Sequence, residues 1–219
     1  MKLKEAQAKI EPLCGIPFSE LFTEDDLKTI KINKGKTGQL LELALGKKLD
    51  SSNIDFEDGE LKSNKCDRTG KPKETVFITQ IASIIDDLIE QKPFEETHLF
   101  EKINNMLYVS VCKDGAPEDW MFLDAIHIDL SKSEFAPLLS IWRDDYSSIC
   151  NQLKEHIETS VDGFIHTSNG THIQVRSKDS KPYHPIFSKV YGRNVSNKNH
   201  AFYFQKQFVY DIRKANEEA

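Results

Sequence analysis

Asp55-Phe56-Glu57-Asp58-Gly59-Glu60-Leu61-Lys62 places an acid and a base on one short extended stretch. In a β-strand, side chains two apart share a face. The spacing therefore sets Glu60 and Lys62 side by side and turns the apolar Leu61 the other way, toward a core. Gly59 lets the backbone bend or bulge, which can bring the carboxylate of Asp55 back toward Glu60. Two carboxylates sharing a site repel unless a cation sits between them. Hard oxygen donors of this kind suit Mg²⁺. A lysine beside them can orient a water or neutralise charge growing on a phosphate. The stretch has the form of a nuclease metal site, although an exposed edge strand also alternates charge with Leu.

The chain has 219 residues, 38% hydrophobic and 29% charged, a composition that suits one globular domain. No apolar run approaches the roughly 18 residues of a membrane span. The first residues, Met1-Lys2-Leu3-Lys4-Glu5-Ala6, are charged and lack an apolar signal core, so a cytoplasmic protein is expected. Cys14, Cys66, Cys112 and Cys150 show no Cys-x-x-Cys spacing and read as reduced thiols. The net charge of −6 argues mildly against a nucleic-acid binder. Between Thr171 and Lys214, however, stand nine Lys and Arg against two acids, Asp179 and Asp211. Tyr183, His184, Tyr191, His200 and Tyr203 are interleaved with them, a pattern that suits a phosphate backbone. A solvated charged face is the plainer account of the same residues.

Apolar spacing predicts a first helix over 4–14, and Thr23-Glu24-Asp25-Asp26 has the form of an N-cap followed by acids. A strong helical run from Leu40 ends at Gly46 and carries Glu42 among Leu41, Leu43 and Ala44. Gly35-Lys36-Thr37 is no phosphate loop, because position 30 is Ile where that motif needs Gly. Residues 54–80 are expected to form a β-hairpin about the turn Cys66–Pro72. A helix over 82–91 follows, then strands over 105–112 and 122–130, a long helix over 137–160, strands over 171–176 and 201–204, and a terminal helix through Lys214. Residues 178–200 show little periodicity and read as a long functional loop. Helices flanking a mixed sheet make an α/β protein.

Several of these pieces occur in a familiar succession. They are Gly38-x-x-Leu41-Glu42-x-x-Leu45-Gly46, Asp55-Phe56, Gly59-Glu60-Leu61-Lys62 and Gly70-Lys71-Pro72-Lys73-Glu74-Thr75. Further on come Glu96-Thr97-His98 with Lys102, Trp142-Arg143-Asp144-Asp145, Gln174-Val175-Arg176-x-Lys178 and Ala201-Phe202-Tyr203-Phe204-x-Lys206. In this order the chain resembles the MutH family of mismatch-repair nicking endonucleases and the related restriction endonucleases that recognise GATC.

The resemblance implies a restriction-endonuclease-like PD-(D/E)xK core, a mixed sheet flanked by helices, and two lobes around a DNA cleft. Within a single domain over 1–219, the catalytic lobe would take roughly 1–130 and the DNA-reading lobe roughly 131–219. It implies Mg²⁺-dependent hydrolysis of double-stranded DNA at a GATC-like, methylation-sensitive site, in mismatch repair or restriction. Asp55 and Glu60 would ligate the metal, Lys62 would position water or steady the phosphate, Glu42 would complete the acidic site, and Lys102 would contact the cleaved phosphate. The stretch between Asp55 and Glu60 is short for the family, which makes Asp58 a rival ligand. Arg176 suits a bidentate contact to guanine, the commonest direct readout in the major groove. Lys178 and Lys206 would support DNA binding, Tyr203 would sense adenine methylation, and Glu74 stands at a position tied to DNA contact. A monomer and a mismatch-repair activator partner are further expectations. A non-catalytic DNA-binding module of the same fold is the alternative, which would have lost the carboxylates or the lysine.

Overall fold

The structure, a computed structural model, describes residues 1–32, 40–41, 44–46, 56–178 and 181–217. Two of the expected acids, Glu42 and Asp55, lie outside the described residues. In chain order the strands are β1 (Glu60–Cys66), β2 (Val76–Gln80), β3 (Asn105–Cys112), β4 (Met121–Asp129), β5 (Ser168–Asn169), β6 (Ile173–Ser177), β7 (Ile186–Ser188), β8 (Arg193–Ser196) and β9 (His200–Phe204). The helices described from end to end are α1 (Leu3–Ile10), α2 (Phe18–Leu21), α3 (Glu24–Ile32), α4 (Ile85–Ile89), α5 (His98–Ile103), α6 (Ala136–Thr159) and α7 (Lys206–Glu217). The protein is a mixed α/β structure. It divides into two compact units, one of Met1–Glu74, Asn105–Asp129 and Ile212–Ala219, the other of Thr75–Asn104 and Leu130–Asp211.

The first unit is built on the sheet β1-β3-β4, with β1 parallel to β3 and β4 antiparallel to it. β3 lies in the centre and is buried along nearly its whole length, which is why Met-Leu-Tyr-Val-Ser-Val-Cys reads as an unbroken run rather than an alternation. Leu3, Ala6 and Ile10 of α1 and Phe18 of α2 pack with Leu107, Val109 and Phe122 in one apolar core. The expected cap of α3 is present: Thr23 Oγ1 accepts the Asp26 N–H while Asp26 Oδ2 accepts the Thr23 N–H. Near the other end of the unit's chain, Arg213 Nε reaches Asp124 Oδ2 at 2.8 Å.

The hairpin expected over 54–80 is not formed. Asp67 Oδ1 accepts the N–H groups of Thr69 and Lys71 and folds the turn back, giving one bridge between Cys66 and Pro72 and a bond from the Lys73 N–H to the Lys65 carbonyl. Pro72 has no N–H to carry a ladder onward, and β2 joins another sheet. The Thr69 hydroxyl, with Lys73 and the two backbone donors, holds the Asp67 carboxyl well below the usual carboxylate range.

The second unit carries the sheet β2-β9-β6-β5, antiparallel throughout, and the pair β7-β8. The 24-residue helix α6 packs on it through Trp142, whose ring lies 5.1 Å from Phe204 and 5.9 Å from Phe208. The long loop expected over 178–200 also needs correcting, because β7 and β8 lie inside it. Ile186 and Ser188 turn inward and Phe187 outward, an alternation too short to stand out from the polar residues around it. Asp86 at the start of α4 secures the connection between these two strands. Its carboxylate accepts the Ser188 hydroxyl at 2.6 Å and the Lys189 N–H at 3.0 Å. Partial burial acts to raise the Asp86 carboxyl, but these donors hold it below its ordinary value. Among the described residues no helix is long and apolar enough to cross a membrane.

Candidate active site and nucleic-acid interface

In the first unit, the strand period does what the sequence spacing requires. Lys62 Nζ lies 3.2 Å from Glu60 Oε2, with the side chains 11% and 28% exposed respectively. Leu61, between them, packs against the apolar core. Lys62 stands opposite Tyr108 on the buried strand β3, so the pair rests on a rigid floor with its carboxylate still reachable from water.

Gly59 has a definite job. A Cβ there would collide with the Asn105 carbonyl and the Leu3 side chain, so only glycine admits this approach. Phe56 bridges to Gly59 and is itself buried, which closes Glu57-Asp58 into a tight turn. The rival ligand Asp58 is engaged elsewhere. Its Oδ1 accepts the Leu3 N–H at 2.8 Å at the start of α1, and its carbonyl accepts from Asn105 Nδ2. Among the described residues no cluster of three or more His, Cys, Asp or Glu could by itself enclose a metal. Glu60 supplies one hard oxygen donor of the kind Mg²⁺ takes.

Glu74 is exposed at the end of the first unit, and its carbonyl accepts from Asn64 Nδ2 at 3.1 Å. Lys102 is partly buried in the last turn of α5, in the second unit. Lys206 is exposed at the start of α7.

The other expected residues gather on one face of the second unit's sheet. Ile173 and Val175 of β6 are buried, and Gln174 and Arg176 point to the opposite side. On β9 the same division separates Phe202 and Phe204, fully buried, from Tyr203. Tyr203 thus takes the face opposite Phe202 and Phe204, and its neighbours there leave it only 9% exposed. The Arg176 guanidinium lies 4.3 Å from its ring centroid, and Arg176 Nη2 donates to Thr75 Oγ1 at 2.9 Å. Phe77 meets Tyr203 edge to face at 5.7 Å, and Lys178 Nζ lies 5.0 Å from the Phe77 ring centroid. Phe77 is 41% exposed, large for an aromatic residue on a strand. The arrangement offers a flat aromatic base, a fork of donors in fixed orientation and a second cation beside it.

Sequence reasoning gave no role to Thr75 or Phe77. Their alternation with the buried Val76 and Ile78 is the signal that places them on this face.

Cys14, Cys66 and Cys150 do not suit nucleophilic chemistry. All four cysteines are free, and burial pushes Cys66 and Cys150 up to about 12 and Cys14 up to about 11.

The acid–lysine pair on β1 and the cationic–aromatic face on β2, β6 and β9 can be set beside known proteins. A protein of Vibrio cholerae named DNA mismatch repair protein MutH is 27% identical over 222 residues, covering 95% of this chain and 94% of its own length. The protein of the same name from Vibrio campbellii is 27% identical over 222 residues, with 95% and 91% covered. The chain is MutH-like. The likeness to MutH runs through both units, since 95% coverage leaves out neither the β1 pair nor the Arg176 face. No protein-family model matches the chain.

Proposed function

We propose that this chain is a Mg²⁺-dependent DNA endonuclease of the MutH kind, with a restriction-endonuclease-like core, nicking double-stranded DNA at a GATC-like, methylation-sensitive site in mismatch repair. The observation that carries the reading is the Glu60–Lys62 pair, held side by side on β1 at 3.2 Å. A carboxylate and an ammonium held together at a water-accessible strand favour a catalytic protein over a DNA-binding module. The names and coverage of the Vibrio relatives support the same reading.

Glu60 would hold the metal together with Asp55, and Glu42 would complete the acidic set. Bound Mg²⁺ would polarise the scissile phosphate and lower the pKa of a bound water. Lys62, too close to Glu60 to swing freely, would hold the attacking water by hydrogen bonding and offset charge growing on the phosphate. Lys102 would contact the cleaved phosphate. On the second unit Arg176 would read guanine through its fork, kept in plane by Thr75 and the Tyr203 ring. Tyr203 would register adenine methylation, and Lys178, Lys206 and Glu74 would border the DNA.

The test is supercoiled plasmid incubated with the protein in Mg²⁺, in unmethylated, hemimethylated and fully methylated form. The expected result is open-circular product from the first two only, absent with Glu60→Gln. Binding without cleavage in all three would reduce the protein to a DNA-binding module. Linear rather than open-circular product would favour restriction over repair.

A further inference from the structure

Asp145 is 3% exposed on α6, and its carboxylate faces the segment that leads into β6. Oδ1 accepts the Thr171 N–H at 2.5 Å, and Oδ2 accepts the N–H groups of His172 at 2.7 Å and Ile173 at 2.9 Å. Three successive amides on one buried carboxylate make a strong, charge-assisted clamp. Gly170 fits against it so closely that a Cβ would run into the carboxyl group. Asp145 thus takes the N–H groups where β6 begins, Gln205 Nε2 donates to the Gly170 and Ile173 carbonyls, and Arg176 follows three residues after Ile173 on that strand.

We infer that Asp145 is a positioning residue for base recognition, holding β6 in the register that presents Arg176 to DNA. The inference rests on the proposed role of Arg176 as the guanine reader. A strand's register decides which face every side chain occupies. In the ladder Gln174 pairs with Tyr203 and Arg176 with Ala201, which puts the guanidinium over the Tyr203 ring and within reach of Thr75. Loosening at Thr171–Ile173 would misplace that fork, while Lys178 beyond the strand's other end stays tied through its N–H to the Asn199 carbonyl at 2.7 Å. Gln152, on the same helix, makes a second attachment to Asn169 through two hydrogen bonds of 3.0 Å. It holds β5 and leaves the three amides at the start of β6 to Asp145.

The experiment compares binding of the full chain to a GATC duplex and to duplexes with one base of that site replaced. Asp145→Asn sets an amide NH₂ against backbone donors, and Gly170→Ala pushes the intact carboxylate aside. Each is expected to lower the cognate-to-substituted affinity ratio about tenfold, within the discrimination of one bidentate base contact, while affinity for the substituted duplexes holds. Arg176→Ala combined with Gly170→Ala should lose no more than Arg176→Ala alone, because both act on one contact. Gln152→Ala should lower thermal stability and leave the ratio unchanged. If Asp145→Asn does not fold, Gly170→Ala decides. An unchanged ratio in the folded variants, or a ratio that falls with stability in Gln152→Ala as well, overturns the positioning role. A wild-type ratio near one, or an Arg176→Ala ratio equal to wild type, removes the base-reading role itself and this inference with it.

Discussion

The guanidinium of Arg176 lies over the ring of Tyr203 at 4.3 Å while its Nη2 donates to Thr75. The two residues sit on adjacent antiparallel strands, and their contact orients a side chain that would otherwise sweep a wide arc. A fork held in plane loses less rotamer freedom on meeting a base than one that must be ordered at that moment.

Arg176→Lys is expected to keep charge and lose the fork. Discrimination between the cognate duplex and one with its guanine replaced should fall by about 1–3 kcal/mol, with non-specific affinity little changed. Competition binding measures this. Equal losses on every duplex would make Arg176 a phosphate contact, and no loss would leave it an intramolecular partner of Thr75 and Tyr203.

Glu60→Ala and Lys62→Ala should each abolish nicking by several orders of magnitude, with DNA binding retained, since removing a metal ligand or a phosphate-facing lysine disables the chemistry and spares the binding surface. Gel-shift and plasmid assays on the same preparations separate the two. Cleavage by Glu60→Ala at the wild-type rate would sink the site on β1.

Asp58→Ala should behave differently. Its carboxylate serves the Leu3 N–H at the head of α1, so the expected loss is about 1 kcal/mol of stability with nicking intact. Thermal melts and the plasmid assay read the two effects. An inactive Asp58→Ala beside an active Asp55→Ala would make Asp58 the metal ligand.

Neutralising Lys178, Lys181, Lys189 or Lys198 to Gln should weaken binding on all sequences alike. The salt dependence should flatten by about one unit of slope for each phosphate that a variant no longer neutralises. Slopes equal to wild type in all four would move the footprint away from 178–198.

The connection between β7 and β8 should loosen in acid. The donors from Ser188 and Lys189 keep the folded Asp86 below its ordinary value of 3.8. The stabilisation is therefore fully present above that ordinary value and is lost as pH falls through the lower, folded one. Amide exchange at Lys189 and Val190 should rise in that window. In Asp86→Asn the exchange should already be raised at neutral pH and show no further step in acid; an acid step of wild-type size in that variant would move the effect to another group.

Much was legible from the sequence because it is local. Period two placed Glu60 with Lys62 and Gln174 with Arg176. The run over 105–112 read as a strand, and the 3.6 period of α6 fixed its length to within a residue or so. Gly59 stood out as a place where the backbone bends. Partner choice was not legible in the same way. Val76–Gln80 reads as a strand, yet nothing in it says that it pairs with β9 rather than β1; Pro72 and the Asp67 turn only end the first pairing. The β7–β8 pair was hidden because its alternation is very short, and the distant Asp86 carboxylate that secures its connection leaves no local signal. The contact of Arg176 with Tyr203 depends on the register between β6 and β9, and the clamp of Asp145 on Thr171–Ile173 depends on where α6 lies against β6. Periodicity tells a side chain which face to take. Only long-range packing and hydrogen bonding choose the neighbour it meets there.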